Sequence, residues 1–322
     1  MAPKPLIHRP FNPQPMDSGL SRDAPALYHE WRKGPVKMSR RLGLGLLFLL
    51  IFAGHAVARD FVFTAIPDED ESRLRQRFDQ VAAYLTKELA VPVRYIPVKS
   101  YAAAVTAFRN NQVQLAWFGG LSGVRARRLV PGSKALAQGF EDRSFTTFFI
   151  AHASTGLTPG AAFPEKIAGL TFTCGSKGST SGRLMPEFHI RKRLGKAPSE
   201  VFSRVGFSGD HSRTIALVQS GAYLVGAVNF KVWENEMKAG RIDPDKVRVV
   251  WQTPPYPDYH WTIRGDADRA FGAGFSARVK KALLGIKDPA LLALFPRQSF
   301  VPAKNSDYEP ILEAGKSIGL ID

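Results

Sequence analysis

Strand-like runs alternate with helix-like segments along most of the chain after residue 58, and this alternation constrains the fold more than any other feature. The first unit begins with an apolar run at residues 61–66. Apolar residues then recur at helical spacing, at Leu74, Phe78, Val81 and Leu85. Because strands joined by helices pair in parallel, the pattern predicts an α/β fold whose sheets carry helices on both faces.

Two longer apolar runs, at residues 146–154 and 247–253, divide these units into two groups. Such runs can carry the chain out of one group and back again, so we predict two hinged lobes. Lobe I is expected to contain residues 59–148 and 254–322, and lobe II residues 149–253. Ligands of open α/β sheets bind beyond the carboxyl ends of the strands, which places the expected site between lobes that close around it.

Residues 38–58 have the three parts of a secretory signal. Arg40 and Arg41 precede an apolar run at residues 42–52, and a small-residue cleavage site ends at Ala58. We expect export to the periplasm and cleavage after Ala58. The apolar run is shorter than the roughly 20 residues of a membrane span, and an uncleaved anchor is the alternative.

Residues 1–37 do not fit a normal signal, because they are rich in proline and polar residues and show no usable periodicity. Met38 stands directly before the basic part of the signal. We expect residues 1–37 to be a disordered or non-native upstream extension. Our hypothesis is that translation starts at Met38 and not at Met1.

The chain carries a formal net charge of +16, to which the first 58 residues contribute +5. The remaining +11 suits an acidic partner, which can be a nucleic acid, an anionic surface or a small anion. Export and the even spread of Lys and Arg argue against a nucleic acid. The single cysteine, Cys174, excludes an internal disulfide framework, so the exported protein must be stabilised by its core.

No metal or cofactor is expected. His189, His211 and His260 are far apart in the sequence, and no paired spacing of Cys or His is present. The glycine-rich loop at residues 175–182 lacks the Gly-Lys-Ser/Thr ending of a nucleotide-binding P-loop.

A cluster of hydroxyl residues follows the apolar run that ends at Cys174. A loop of Gly, Ser and Lys leads to Ser179, Thr180 and Ser181, which stand where a helix is expected to begin. The first turn of a helix has unpaired backbone N–H groups and the positive end of the helix dipole, so hydroxyls there favour a small anion. An ordinary N-cap is the simpler interpretation, and both roles can coexist.

Three segments make the chain similar to the periplasmic substrate-binding proteins of phosphonate-type ABC transporters. They are residues 100–123, 175–186 and 206–229, and the resemblance extends over nearly the whole mature chain. Within that family the chain is most similar to the subgroup described as selenate-transporter binding proteins. The resemblance implies the two-lobed type II periplasmic binding protein fold, an oxyanion in the cleft and a membrane ABC permease as partner.

The resemblance also assigns residues to the site. The family's hydroxyl cluster corresponds to Ser179, Thr180 and Ser181, and its cleft histidine to His211. The family's tyrosine at the start of the second helix corresponds to Tyr101, whose phenol can donate to an anion from the opposite lobe.

Four further positions complete the expected site. An acidic residue of the family's late proline-rich loop corresponds to Asp258, which repels a dianion unless it accepts a ligand proton or orients a donor. Gly119 and Gly120 are expected to bring backbone N–H groups to the ligand, although a tight turn would also explain them. Asn229 ends a short buried strand in a segment where phosphonate receptors often carry acids, and the lack of those acids disfavours an aminoalkyl phosphonate.

We therefore predict an exported receptor that captures a small tetrahedral oxyanion and presents it to a permease. Phosphonate, phosphite, phosphate and selenate-like anions all satisfy the pattern, and the oligomeric state stays open. An enzyme that uses Cys174 or a cleft serine as nucleophile is one alternative, and a sensory receptor is another. Cys174 ends an apolar strand, where packing is the expected role, and no third orienting residue accompanies a serine and histidine pair.

Overall fold

The computed structural model describes residues 59–322, so the predictions for residues 1–58, including cleavage after Ala58, lie outside the described part of the chain. Within residues 59–322 the chain forms eleven strands. They are β1 (Phe61–Ala65), β2 (Val93–Tyr95), β3 (Leu115–Phe118), β4 (Lys134–Gly139), β5 (Thr147–His152), β6 (Thr171–Cys174), β7 (Arg204–Phe207), β8 (Val225–Asn229), β9 (Val247–Gln252), β10 (His260–Ile263) and β11 (Phe300–Pro302).

Helices follow most of these strands, as the alternation predicts. The described residues form α1 (Glu71–Leu89), α2 (Tyr101–Arg109), α3 (Gly120–Leu129), α4 (Met185–Leu194), α5 (Pro198–Val201), α6 (His211–Gln219), α7 (Phe230–Lys238), α8 (Ala267–Phe271), α9 (Phe275–Leu284), α10 (Pro289–Leu294) and α11 (Glu309–Ser317). A helix with the length and apolar character needed to cross a membrane is not found among the described residues.

The strands belong to two mixed sheets. The first has the order β11-β4-β10-β3-β1-β2, in which β1 runs parallel to β2 and β3 while β10 is antiparallel to its neighbours. The second has the order β7-β6-β8-β5-β9, in which β6 runs parallel to β7 and β8. β5 is antiparallel to both of its neighbours. The two-lobed α/β fold is thus as predicted, with parallel strands where a helix joins consecutive strands.

Alternating side chains of β5 show how the second sheet is covered on both faces. Phe149 and Ala151 pack into one apolar cluster, together with Phe172 and Trp251, whereas Ile150 packs into another. Successive residues of a strand point to opposite faces, so a strand buried on both faces must be apolar throughout. This burial explains why the sequence of β5 lacks the alternation of a half-exposed strand.

Two short segments connect the lobes beside the second sheet. Phe145 and Tyr256 exchange backbone hydrogen bonds of 2.8 and 2.9 Å, which ties the outgoing segment to the returning one. The apolar runs expected to cross between the lobes are β5 and β9, and they lie side by side in the second sheet. The lobe boundary placed after Phe148 falls two residues inside β5.

A buried ion pair anchors the loop that returns to the first sheet. Arg297 donates to both carboxylate oxygens of Asp142, at 2.8 and 2.9 Å, and the two side chains are 4% and 0% exposed. The carbonyl oxygen of Asp142 accepts a hydrogen bond from the backbone N–H of Asp258 at 2.9 Å. The pair therefore holds the backbone that carries Asp258.

Replacing Arg297 with Met should lower the free energy of unfolding by about 3–5 kcal/mol, because Asp142 would lose the counterion of a buried carboxylate. Urea unfolding near neutral pH measures this change. Arg94→Met is the control, since it removes an exposed ion pair with Asp60 and should cost less than about 1 kcal/mol. Equal losses in the two variants would contradict the structural role given to Arg297.

Candidate functional site

The carboxyl ends of strands from both sheets meet at one buried place between the lobes. The seven predicted site residues that carry a side chain lie there with no more than 2% of their surface exposed: Tyr101, Ser179, Thr180, Ser181, His211, Asn229 and Asp258. Gly119 and Gly120 are buried beside them. The topology thus gathers residues separated by up to 157 positions, as the rule for open α/β sheets requires.

One residue of the hydroxyl cluster caps a helical turn, and the other two do not. Ser179 is the N-cap of a π-helical turn at Thr180–Leu184, and its hydroxyl accepts from the N–H of Gly182 at 2.9 Å. Thr180 and Ser181 are not needed for that cap. A side chain on Gly182 would lie 3.0 Å from Gly175 Cα and from His211 Cε1, so glycine is required where the turn passes the histidine.

His211 opens α6, and Asp210 caps that helix by accepting from the N–H of Arg213 at 2.8 Å. The ring of His211 is fully buried, and burial lowers its pKa to about 3, so the side chain is neutral at ordinary pH. Nδ1 lies 3.3 Å from the backbone N of Asn229 and accepts its proton. Nε2 therefore carries a proton and faces Ser181 Oγ at 3.3 Å. The structure therefore fits donation from a neutral imidazole and not from an imidazolium.

Gly119 and Gly120 lie beside Asp258, and the N–H of Gly120 is already used within the protein. A Cβ on Gly119 would lie 3.0 Å from Asp258 Oδ1 and 3.2 Å from Thr180 Oγ1, so any larger residue would push these two side chains apart. The N–H of Gly120 donates to Asp258 Oδ1 at 2.8 Å. That N–H orients the carboxyl of Asp258 and is not a free donor at the start of α3.

Asn229 uses both of its polar groups within the protein. Its Oδ1 accepts from the N–H groups of Lys231 and Val232, at 2.7 and 3.2 Å, and so caps α7. Its Nδ2 donates to the hydroxyl of Tyr259 at 3.0 Å. In the structure Asn229 therefore joins the two lobes, and its side chain has little capacity left for a ligand.

Two further buried residues that the sequence did not indicate, Asp68 and Tyr259, lie in the cleft. Asp68 follows β1 and is 4% exposed, and Tyr259 stands between Asp258 and β10 and is 1% exposed. Asp68 does not cap α1, because the N-cap of that helix is Asp70. The position of Asp68 directly after a buried strand was the available signal.

Three side-chain atoms in this cleft have no hydrogen-bond partner among the described residues. They are Asp68 Oδ1, Tyr101 Oη and Asp258 Oδ2. Buried polar atoms in folded proteins are almost always paired, so these atoms indicate a place for a polar ligand or water. Two of them are carboxyl oxygens and one is a phenol, so an occupant that both donates and accepts hydrogen bonds would satisfy all three.

Burial also changes the charge of the two carboxyl groups. Desolvation raises the pKa of Asp68 to about 7, with a further contribution from the neighbouring Glu69. Desolvation likewise raises the pKa of Asp258 to about 7, although the N–H of Gly120 opposes the shift. Each carboxyl therefore exchanges a proton near neutral pH, which makes the cleft less negative than two aspartates imply.

The lobes are closed on each other around the site. The N–H of His211 donates to the carbonyl of Asp68 at 2.9 Å, and the N–H of Leu121 donates to Thr180 Oγ1 at 3.0 Å. With the contact between Asn229 and Tyr259, three hydrogen bonds cross the cleft within the buried region. The site is therefore formed by both lobes together.

Asp258→Asn should remove part of the pH dependence of stability. The folded-state pKa of about 7 lies above the usual 3.8, so wild type binds the extra proton when folded and loses stability as the pH rises from about 4 to about 7. The variant should lack that loss and be more stable than wild type above pH 7. Urea unfolding across this pH range measures the difference.

Asp70→Asn is the matched control for this experiment. Hydrogen bonds from Ser72 and Arg73 hold the pKa of Asp70 below its usual value, so its contribution has the opposite sign and is lost as the pH falls. Parallel stability profiles for wild type and Asp258→Asn would show that Asp258 titrates as an ordinary surface carboxyl.

The family model described as "ABC transporter, phosphonate, periplasmic substrate-binding protein" matches residues 63–308. The chain is 39% identical to the probable ABC transporter phosphite binding protein PhnD1 of Prochlorococcus marinus (strain MIT 9301), over 80% of this chain and 89% of that protein. The solved structure of that PhnD1 in complex with methylphosphonate superposes with a TM-score of 0.77 and 38% identity, covering 82% of this chain and all of that one.

A binding protein component of an ABC phosphonate transporter from Pseudomonas aeruginosa shares the fold, with a TM-score of 0.70 at 18% identity over 80% of this chain and 85% of that one. The fold and the expected family are thus confirmed by independent comparisons. The chain belongs to the periplasmic substrate-binding proteins of phosphonate ABC transporters.

Proposed function

We propose that this protein is the exported receptor of an ABC importer and that its ligand is a small phosphorus oxyanion that carries a proton, such as phosphite or a short phosphonate. Its membership of the family supports the receptor role. The descriptions of its relatives support a ligand that contains phosphorus. PhnD1 of Prochlorococcus marinus is described as phosphite binding, and its structure contains methylphosphonate. The partner is the membrane permease of the same transporter.

The observation that carries the proposal is the pair of buried carboxyl groups among hydroxyl donors. Asp68 and Asp258 each have one oxygen without a partner among the described residues. A fully deprotonated anion would bring its oxygens against these acceptors and be repelled. An oxyanion with one O–H group can donate to a carboxylate, and a protonated carboxyl can donate to the anion in turn. Phosphite and phosphonates hold such a proton near neutral pH, whereas sulfate and selenate do not.

Hydroxyl and imidazole donors supply the remaining contacts. Ser179, Thr180 and Ser181 come from lobe II, together with the protonated Nε2 of His211. Tyr101 faces them from lobe I, and burial raises the pKa of its phenol well above the ordinary value, so it stays a donor. A hydrogen bond to a charged group contributes about 1.5–3 kcal/mol, so several such donors can offset the loss of solvation of a small anion.

The local chemistry supports binding over catalysis. Burial raises the pKa of the Cys174 thiol to about 12, which keeps the nucleophilic thiolate scarce. Ser181 and His211 are near each other, but Nδ1 of His211 accepts from a backbone N–H and has no carboxylate to orient it as a base. We therefore propose a receptor without enzymatic activity, exported by the signal at residues 38–58 and released by cleavage after Ala58.

The double variant Thr180→Ala/Ser181→Ala should weaken methylphosphonate binding by about 100-fold or more, because two donors to a charged ligand are removed. Isothermal titration calorimetry measures the affinity, and thermal unfolding shows that the fold is intact. Thr180→Ser keeps the hydroxyl and should bind within about tenfold of wild type. An unchanged affinity in the double variant would remove both residues from the site.

Affinity for methylphosphonate should fall as the pH rises above about 7, because Asp68 and Asp258 then lose their protons and repel the anion. At neutral pH, phosphite and methylphosphonate should bind at least about 100-fold more tightly than sulfate or selenate, which cannot donate to the carboxyls. Asp258→Asn should reduce the difference in affinity between the phosphorus anions and sulfate or selenate. Tighter binding of selenate than of either phosphorus anion would overturn the choice of phosphorus and favour the selenate subgroup.

A further inference from the structure

A second set of contacts joins the lobes beside the candidate site, through side chains that are not among the candidate ligand-binding residues. Arg73 of α1 donates to Glu236 Oε1 of α7 at 2.7 Å and to Ser212 Oγ of α6 at 3.1 Å. Ser212 in turn donates to the same carboxylate oxygen at 3.0 Å. α1 belongs to lobe I, whereas α6 and α7 belong to lobe II, so these three side chains form one bridge across the cleft.

The bridge is more protected than a surface ion pair. The side chain of Glu236 is 6% exposed and that of Arg73 is 30% exposed. Burial by itself would raise the pKa of Glu236, but hydrogen bonds from Arg241 and Arg73 outweigh burial and hold the pKa below its usual value. The carboxylate is therefore charged at neutral pH and interacts with Arg73 in a partly desolvated place, where an ion pair is stronger than in water.

Each charged partner also has a second partner on its own lobe. Glu236 is bound on its other oxygen by Arg241, which follows α7. Arg73 lies 3.6 Å from Glu69 Oε2, one turn earlier in lobe I, and Glu69 is paired with Arg77 as well. Opening of the lobes therefore breaks the contact between Arg73 and Glu236 without leaving either charge buried alone.

We propose that Arg73 and Glu236 form a closure latch that holds the two lobes together without touching the ligand. Stable closure needs contacts that exist only in the closed form, and reversible opening needs charges that are not stranded afterwards. This bridge meets both requirements, since its interlobe contact is lost on opening while Arg241 and Glu69 remain as local partners. The ligand-dependent part of the inference rests on the proposed function.

The latch predicts a kinetic signature. A bound ligand leaves when the lobes open, so loss of the bridge should speed dissociation and leave encounter with the open form unchanged. Arg73→Gln should raise the dissociation rate of methylphosphonate about five- to twentyfold, with an association rate within about twofold of wild type. Stopped-flow fluorescence measures both rates. High salt should reduce the difference between variant and wild type, because it screens the ion pair.

Arg75→Gln is the matched control. It removes the same charge from the same helix, but Arg75 pairs with Glu71 within lobe I at 3.4 Å. Its dissociation rate should equal that of wild type. An equal increase in the dissociation rates of Arg73→Gln and Arg75→Gln would assign the effect to the overall charge of the protein and overturn the latch.

A double-mutant cycle tests the pair itself. Glu236→Gln should speed dissociation to a similar extent as Arg73→Gln, and the double variant should be no faster than either one, because the same interaction is already lost. If the increase in dissociation rate of the double variant equals the product of the two single-variant increases, the latch is overturned. Arg73→Lys, which keeps one charged donor, should recover part of the wild-type rate.

A measurement without ligand separates this inference from the proposed function. Spin labels on Lys87→Cys in lobe I and Lys166→Cys in lobe II report the interlobe distance, and both positions are exposed. The native thiol of Cys174 is buried and will not be labelled. If methylphosphonate does not bind wild type, the proposed ligand fails. The latch still predicts a shift to longer distances in Arg73→Gln, and an unchanged distribution overturns it.

Discussion

Two carboxyl groups buried in a cleft built for an anion are the constraint on which the site depends. Asp68 and Asp258 would repel a negative ligand if both were ionised, yet each lies in the closed cleft with one oxygen unpaired among the described residues. Burial raises the pKa of each to about 7, so the charge of the cleft responds to protons and to the ligand. The proposed protonated oxyanion would satisfy these groups, whereas a bare dianion would not.

The rest of the fold holds those carboxyls in place. Asp142 and Arg297 position the backbone of Asp258, and the N–H of Gly120 orients its side chain. Gly119 permits the close approach of Asp258 and Thr180 from opposite lobes. Burial of Asp68 and Asp258 itself costs stability, because a desolvated carboxyl favours its neutral form, and such a cost is common at binding sites.

Two sets of contacts join the lobes, one among the candidate site residues and one at the proposed latch. The contacts near the ligand site use backbone groups and hydroxyls, as between His211 and Asp68 or Leu121 and Thr180. The bridge from Arg73 to Glu236 lies on other helix faces and uses full charges. Such a division lets the strength of closure change during evolution without a change in the groups that face the ligand.

The strand and helix alternation, the two lobes, the family and most of the residues that meet in the cleft were predictable from the sequence, because periodicity, glycine loops and hydroxyls at helix starts are local patterns. The sequence did not reveal Asp68 or Tyr259, the neutral state of His211, or the interlobe use of Asn229. Those properties depend on which residues meet after the lobes close and on how deeply they are buried. Desolvation and pairing across the cleft arise between groups that are distant in the chain, so they exist only in the folded arrangement.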